Sequence, residues 1–539
     1  MELHLASAWE VVADTVPERD AVVQGSRRIT YREFDDAAAR FASALEEAGV
    51  GVGESVGLFL YNCPEYLVAQ YGAFKHRAVP INVNYRYLGD ELAYILENSG
   101  AVALVFHHSL SGRVEQVRDR LPHLRLLVEV DDGGEPIPEA VGFESLVASA
   151  EPQARVDRPG DDLYMLYTGG TTGLPKGVMS HQHEFAEALY QVFGALDGIP
   201  MPRALEDVAT LVNGLGEAGR TVSVPCCPLM HGTGMWVSAI RALLSGGTVV
   251  LLEGRTFDAH EAWSLVERER VTQIVIVGDP FARPLLHALE EREYAGRPYD
   301  VSSVRSIASS GAIWSAEVKD GLRSRLSAIL YDALGSTEGG GYAASIASSI
   351  SGAQTAHFAL APGARVVDDN GREVVAGSGT PGLLVAQTMF YGYYNDPERT
   401  ASAFLTLDGR QYVRTGDYAI VDADGTITLL GRGSVSINTG GEKVFAEEVE
   451  EAVKRHPDVV DCLVVGLPDE RFGERVVAVV ASSSPGLSGE ALREWLRPSL
   501  AHFKIPKSIT VLDGVRRHPN GKADYAWARE MAGNRAAEG

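Results

Sequence analysis

A repeated strand, helix, strand rhythm constrains this chain more than any other feature. After Ile29-Thr30-Tyr31, the residues Phe34, Ala38, Phe41 and Leu45 recur at helical spacing, and Gly49 ends that helix where a left-handed residue is easily accommodated. Residues 56–60 then read as a strand, 64–75 as a helix with proline in its first turn, and 102–106 as another strand. The rhythm returns with a strand over 247–252, a helix over 259–269 and a strand over 273–277. Such alternation requires right-handed crossovers and a parallel sheet covered by helices. Two related α/β sheets are therefore expected in the large N-terminal part.

From about Gly379 the pattern shifts to short strands at 382–386, 412–413 and 426–430, the last following the turn Asp424-Gly425. A small antiparallel subdomain is expected there. A compact α+β segment follows, with a helix near 446–455, strands at 459–465 and 476–481, a helix near 490–496 and a strand near 508–512. The boundary is placed at 433–435, giving an N-terminal domain 1–433 and a small mobile C-terminal domain 434–539, with a frayed end at 536–539.

With 539 residues, 45% of them hydrophobic and 22% charged, the chain is large enough for a substantial core and at least two domains. Its formal net charge of -24 disfavours nucleic acid or anionic membrane as a partner. Any anionic ligand must be held by local donors. Cys63, Cys226, Cys227 and Cys462 lack metal-ligand spacing and are expected as reduced, buried thiols. The first basic residue is Arg19, so no signal peptide is read, and apolar runs such as 274–277 are too short to span a bilayer. A soluble cytoplasmic protein without an integral membrane segment is the expectation.

The stretch from Tyr167 to Gly177 interleaves four glycines with three threonines and Lys176. Glycines turn backbone N–H groups toward an anion, hydroxyls add neutral donors, and lysine adds a charge-assisted one. Residues 163–167 read as a short buried strand, so the loop is expected to leave a strand end, where open α/β sheets bind ligands. The Walker spacing is absent, because Pro175 precedes the lysine and Gly177 follows it. Taken alone, the segment also reads as a mobile surface linker.

Four further motifs follow in order: Leu334-Gly335-Ser336-Thr337-Glu338, Arg414-Thr415-Gly416-Asp417, Gly431-Arg432 with Gly440-Gly441-Glu442-Lys443, and Pro519-Asn520-Gly521-Lys522. Together with the glycine loop, over about 30–525, they resemble the adenylate-forming superfamily of acyl-CoA synthetases, luciferases and peptide-synthetase adenylation domains. The resemblance implies that Thr168, Gly169, Gly170, Thr171, Thr172, Gly173 and Lys176 cradle phosphate. It places Ser310-Gly311-Ala312 beside adenine and Asp332, Ala333, Leu334, Gly335 and Ser336 along the nucleotide. Thr337 would donate to phosphate, Glu338 hold Mg2+, Asp417 accept the ribose hydroxyls, and Arg432 approach ribose or phosphate. Lys522 would meet the carboxylate and α-phosphate, and Gly440 and Gly441 would line the pantetheine tunnel.

By the same resemblance His231 lines the acyl pocket and thiol tunnel, as a gate rather than a base. Trp236, Val277, Gly278, Asp279 and Ser309 are expected near the acyl group. Asp279 is out of place in an apolar pocket, and is expected to bond a backbone amide or a polar substrate group. Each residue also has a plainer reading: a surface turn for Lys522, a helix start for Thr337-Glu338, a strand-end turn for Asp417, a salt bridge for Arg432, core packing for His231 and Trp236. Two positions depart from the family's pattern: Gly169 stands where serine is usual, and Ser434 where a hinge Asp or Lys is common.

The implied activity is that of a Mg2+- and ATP-dependent acyl-CoA synthetase, with a small-molecule carboxylate, ATP and coenzyme A as partners. The pattern is most similar to bacterial fatty-acyl and steroid side-chain CoA ligases, and it is compatible with a homodimer. Alternatives are an acyl-AMP ligase loading a carrier protein and a non-catalytic nucleotide sensor, the latter opposed by intact Lys522, Glu338 and Asp417. An amino-acid-activating domain is disfavoured, because 228–236 lacks an aspartate for a substrate ammonium and no carrier domain is read after Lys522.

Overall fold

The computed structural model describes residues 2–170, 173–197, 201–347, 354–433, 436–439, 442–469, 473–518 and 521–536. Near the N-terminus a five-stranded parallel sheet runs in the order Val79–Asn82, Ser55–Phe59, Ala101–His107, Leu126–Val130, Val141–Gly142. Ser55–Phe59 and Ala101–His107 are buried along their whole length, as central strands covered on both faces must be. Helix Tyr31–Glu47 starts at a reciprocal cap: the Thr30 side chain accepts the Glu33 amide, and the Glu33 carboxylate accepts the Thr30 amide. Helix Pro64–Lys75, buried throughout, packs beside it.

The long sheet has a parallel part in the order Ile329–Ser336, Ser306–Ser310, Gln273–Ile276, Val222–Pro225, Thr248–Leu251, Asp20–Gln24. After Ser336 the chain turns back at once and Gly340–Ala347 pairs antiparallel to the strand it left. Pairing then passes through His357–Leu360 to Ile427–Arg432, Arg410–Val421, Pro381–Ala386 and Ala364–Val367. The antiparallel region thus begins at Gly340, earlier than Gly379, and continues the parallel sheet, because a tight turn permits only a hairpin where a crossover would need a helix.

The glycine loop differs from its expected setting. Leu163–Gly170 and Gly173–His181 form an antiparallel hairpin, with Thr168 opposite Lys176 and Gly392–Tyr393 as a third strand. The loop therefore does leave a strand end, but at the tip of a hairpin and not in an open parallel sheet. The Asn82 side chain, and not a strand, bonds the outward amide and carbonyl of Tyr167, and helix Gln182–Asp197 begins only after the return strand.

The C-terminal sheet runs Glu442–Phe445, Ser436–Thr439, Gly473–Ser482, Val459–Asp469, with Ser508–Leu512 parallel to Gly473–Ser482. Alternating residues serve two faces: Val476, Ala478 and Val480 pack with Val449, Val453, Leu492 and Leu496, while Val477 and Val479 pack with Ala528 and Ala532. The long sheet's last strand ends at Arg432 and this sheet begins at Ser436; Ser434 and Val435 lie outside the described residues. All four cysteines are free and buried, and among the described residues no helix is long and apolar enough to cross a membrane.

Candidate active site

A cavity of about 230 Å3 opens between the long sheet on one side and helix Ala446–Lys454 with Arg517, Lys522, Ala523 and Tyr525 on the other. Its wall brings together Thr168, Gly169, Lys176, Asp279, Gly311, Ala312, the run from Asp332 to Glu338, Asp417, Arg432 and Lys522. Of the remaining expected residues, Gly170 pairs with Gly173 at the end of the hairpin. Thr171, Thr172, Gly440 and Gly441 lie outside the described residues.

One end of the cavity is polar and charged. Lys176 Nζ lies 2.8 Å from Glu338 Oε1 and donates to the Tyr393 hydroxyl at 2.7 Å, while that hydroxyl donates to Glu338 Oε1 at 2.9 Å. Loss of water would raise the Glu338 carboxyl, but Lys176 and then Tyr393 outweigh it and hold the group below the usual carboxylate range. Glu338 is thus ionised at neutral pH. It occupies the turn between the strands Ile329–Ser336 and Gly340–Ala347, where the Thr388 hydroxyl donates to its carbonyl. This is a hairpin turn, not a helix start.

A second group lies where two antiparallel strands face each other. Asp417 and Arg432 are cross-strand partners, with Arg432 Nε 3.4 Å from Asp417 Oδ1. The Tyr342 hydroxyl donates to Asp417 Oδ2. Burial and the Asp417 charge push the Tyr342 phenol well up, so it stays a neutral donor. Asp417 sits within the strand Arg410–Val421, buried, and not in a strand-end turn.

On a third side Asp279, Gly311 and Ala312 line the cavity just beyond the adjacent ends of Gln273–Ile276 and Ser306–Ser310, whereas His231, Trp236, Val277, Gly278, Ser309 and Ser310 are not among its lining residues. There the Gly278 amide donates to Ser309 Oγ at 2.9 Å, close behind Val277, and the Thr233 hydroxyl reaches the Ser310 carbonyl at 3.4 Å. Gly278 has φ of 60°, and a Cβ there would meet the Ile313 carbonyl oxygen at 2.4 Å, so glycine is required. Asp279 resolves as a backbone ligand: its Oδ1 accepts the Ser315 amide at 2.9 Å and the Ser315 hydroxyl at 3.1 Å. Asp332, buried, is paired with Lys319 at 2.7 Å and lines the cavity.

His231 lies just before helix Thr233–Ile240, whose i to i+5 turns recur at functional sites. Its Nε2 is shut off from water and has no hydrogen-bond partner. Loss of water, then the charges of Lys522 and His518, push its pKa down to about 3, so the ring is neutral. Trp236 instead turns toward the core, donating to the Tyr164 hydroxyl at 2.6 Å and meeting Phe185 edge-on.

Lys522 follows the last strand of the C-terminal sheet, where the Gly521 amide bonds the His518 carbonyl at 2.9 Å and the His518 amide bonds the Lys522 carbonyl at 2.8 Å. Arg517 anchors this segment by a bidentate contact with Asp461 at 2.6 and 2.8 Å. Loss of water and the neighbouring Arg432 lower the Lys522 pKa, with Glu338 and Asp417 opposing.

Three residues of this arrangement escaped sequence reasoning. Tyr393 and Tyr342 carry no phosphate or ribose signal of their own; sheet register alone brings them to Glu338 and Asp417. Asn82, buried at the end of a parallel strand, donates to the carbonyls of Tyr167 at 2.8 Å and Met230 at 2.7 Å, tying the glycine hairpin to the His231 turn. An amide ending the apolar run Val79-Pro80-Ile81 was its available signal.

Residues 9–394 match the family described as AMP-binding enzyme, and residues 448–522 the AMP-binding enzyme C-terminal domain. The chain belongs to the AMP-binding enzyme family. Among its relatives, the 3-oxocholest-4-en-26-oate–CoA ligase of Rhodococcus rhodochrous is 40% identical over 550 residues, covering 100% of this chain and 97% of the relative. The medium/long-chain-fatty-acid–CoA/3-oxocholest-4-en-26-oate–CoA ligase of Mycolicibacterium smegmatis is 38% identical, covering 100% and 98%. The medium-chain acyl-CoA ligase Mig of Mycobacterium avium is 38% identical, covering 97% of each. The AMP-binding enzyme fold is shared with the solved anthranilate CoA ligase AuaEII in complex with anthranoyl-AMP (TM-score 0.83, 22% identity, covering 99% and 98%). A benzoate CoA ligase from Burkholderia xenovorans LB400 also shares it (TM-score 0.80, 21% identity, covering 98% and 100%).

Proposed function

We propose that this AMP-binding enzyme is an ATP-dependent acyl-CoA ligase for a hydrophobic carboxylate, a medium- or long-chain fatty acid or a steroid side-chain acid. The observation that carries the reading is that Lys522, at the end of the C-terminal domain match 448–522, lines the same cavity as Lys176, Glu338, Asp417 and Arg432. The names of the full-length relatives supply the acyl class.

In the first half-reaction a carboxylate oxygen bonds to the α-phosphorus of ATP and pyrophosphate leaves; in the second, the CoA thiol attacks the acyl carbon and AMP leaves. Two anions must meet in the first step, so positive charge and dipoles aimed at the reacting centre are the main requirement. Lys522 supplies that charge between carboxylate and α-phosphate. Asp417 accepts the ribose hydroxyls, with Arg432 beside it, and Thr168, Lys176 and Thr337 hold phosphate oxygens. The ionised Glu338 already carries a cation, the Lys176 ammonium, and its hard oxygen donors fit Mg2+. When bound, Mg2+ would neutralise phosphate charge. His231, neutral and without a partner at Nε2, suits a pocket-lining gate better than a base. The C-terminal unit 434–539 would rotate between the half-reactions about Gly433 and Ser434, bringing Gly440 and Gly441 to the pantetheine.

The test is AMP release with fatty acids and with 3-oxocholest-4-en-26-oate, each with and without CoA. CoA-dependent turnover with an acyl-CoA product supports the reading. AMP formed only with a carrier protein would replace it with acyl loading, and nucleotide binding without any AMP would reduce it to a sensor.

A further inference from the structure

Lys176 Nζ, the Tyr393 hydroxyl and Glu338 Oε1 close a triangle with sides of 2.7, 2.8 and 2.9 Å. Two of its corners rest on paired backbone, and Glu338 sits in the turn between two paired strands. Lys176 lies opposite Thr168 in the glycine hairpin, and Tyr393 lies opposite Val178 on that hairpin's edge. The ammonium also stands 4.1 Å from the centroid of the Tyr393 ring, where the ring face attracts a cation. Lys176 and Glu338 face the cavity, whereas Tyr393 stands behind them.

The ammonium occupies the Glu338 carboxylate that would help hold a divalent cation, and two cations cannot both sit close to one oxygen without repelling. The phenol differs in kind, since it is neutral and can stay when the ammonium leaves. We infer that Tyr393 is a positioning residue: it keeps Glu338 aimed for a divalent cation and parks Lys176 as a stand-in counter-ion until the metal–nucleotide complex arrives. Lys176 then passes from carboxylate to phosphate while the Tyr393 hydroxyl retains Glu338. The inference rests on the reading of this cavity as a nucleotide site, and it assigns the swap to side chains of this chain alone.

The experiment uses the full chain and Tyr393→Phe. In the nucleotide-free protein, acylation of Lys176 by a limiting amine reagent, read by mass spectrometry, should run severalfold faster in the variant. Calorimetric titration with α,β-methylene-ATP should show the Mg2+ midpoint raised about tenfold, the lower end of the loss expected when a metal ligand loses its supporting hydrogen bond. Affinity for the analogue without Mg2+ should not fall, since the released Lys176 still meets phosphate. Labelling equal to the parent, or an equal affinity loss with and without Mg2+, would overturn the assignment. Should Tyr393→Phe fail to fold, Glu338→Gln must also accelerate Lys176 labelling and abolish the Mg2+ dependence; unaltered labelling refutes the stand-in role. If the parent binds no analogue under either condition, the nucleotide reading fails, and the labelling arm still judges the triangle.

Discussion

Gly521 of the C-terminal segment stands against Val277 of the long sheet: a Cβ on Gly521 would lie 3.3 Å from the Val277 carbonyl oxygen and 3.4 Å from its Cγ1. Gly521 also has φ of +75°, where a side chain is strained by about 1 kcal/mol or more. Lys522 owes its place in the cavity to this close seat.

Gly521→Ala should therefore slow acyl-adenylate formation about tenfold, since roughly 1.4 kcal/mol corresponds to that factor. Thioester formation from supplied acyl-adenylate should be nearly unchanged. Lys522→Ala should stop the first half-reaction with the same sparing of the second. Equal slowing of both half-reactions in either variant would contradict a role confined to adenylation.

His231 bears on pH dependence. With its pKa pushed down to about 3 by loss of water and by the charges of Lys522 and His518, the ring stays neutral across the working range. His231→Ala should lower kcat/KM for the acyl substrate severalfold while leaving the shape of the profile between pH 5 and 9 as in the parent. A limb near pH 6 to 7 that disappears in the variant would show that this ring titrates after all.

Glu447 links pH to stability. Its Oε1 accepts the Arg432 amide at 3.3 Å, and its Oε2 is shut off from water without a partner. Loss of water, then the Glu450 charge, push its pKa up to about 8. The folded chain thus prefers the protonated acid: the stability this group contributes is fully present below its ordinary value of 4.5 and is lost as pH rises through about 8. Glu447→Gln should remove that slope and stabilise the chain at pH 8 by on the order of 1 kcal/mol, seen as a higher melting temperature. Parallel melting curves for variant and parent across pH 5 to 9 would rule this out.

Helices Pro64–Lys75 and Ala259–Glu269 and strand Ser508–Leu512 lie where their sequences place them. Their determinants are neighbours: a proline at the first helical position, the Asp258 side chain capping two amides, and a β-branched run. Glu338, Asp417, Arg432 and Lys522, which line one cavity, were singled out through short motifs that resemble those of a known family. The setting of the glycine loop was not legible, because a buried apolar run reads alike whether its next partner is parallel or antiparallel.

What the residues alone determined was the rhythm of elements and the chemical inventory of the cavity, since backbone preference and motif spacing act over a few positions. Tertiary structure alone decided which polar groups meet: Tyr393 with Glu338, Tyr342 with Asp417 and Asn82 with Tyr167, across 55, 75 and 85 positions of chain. Strand order and register set those distances, and a one-residue slip would turn each side chain to the opposite face.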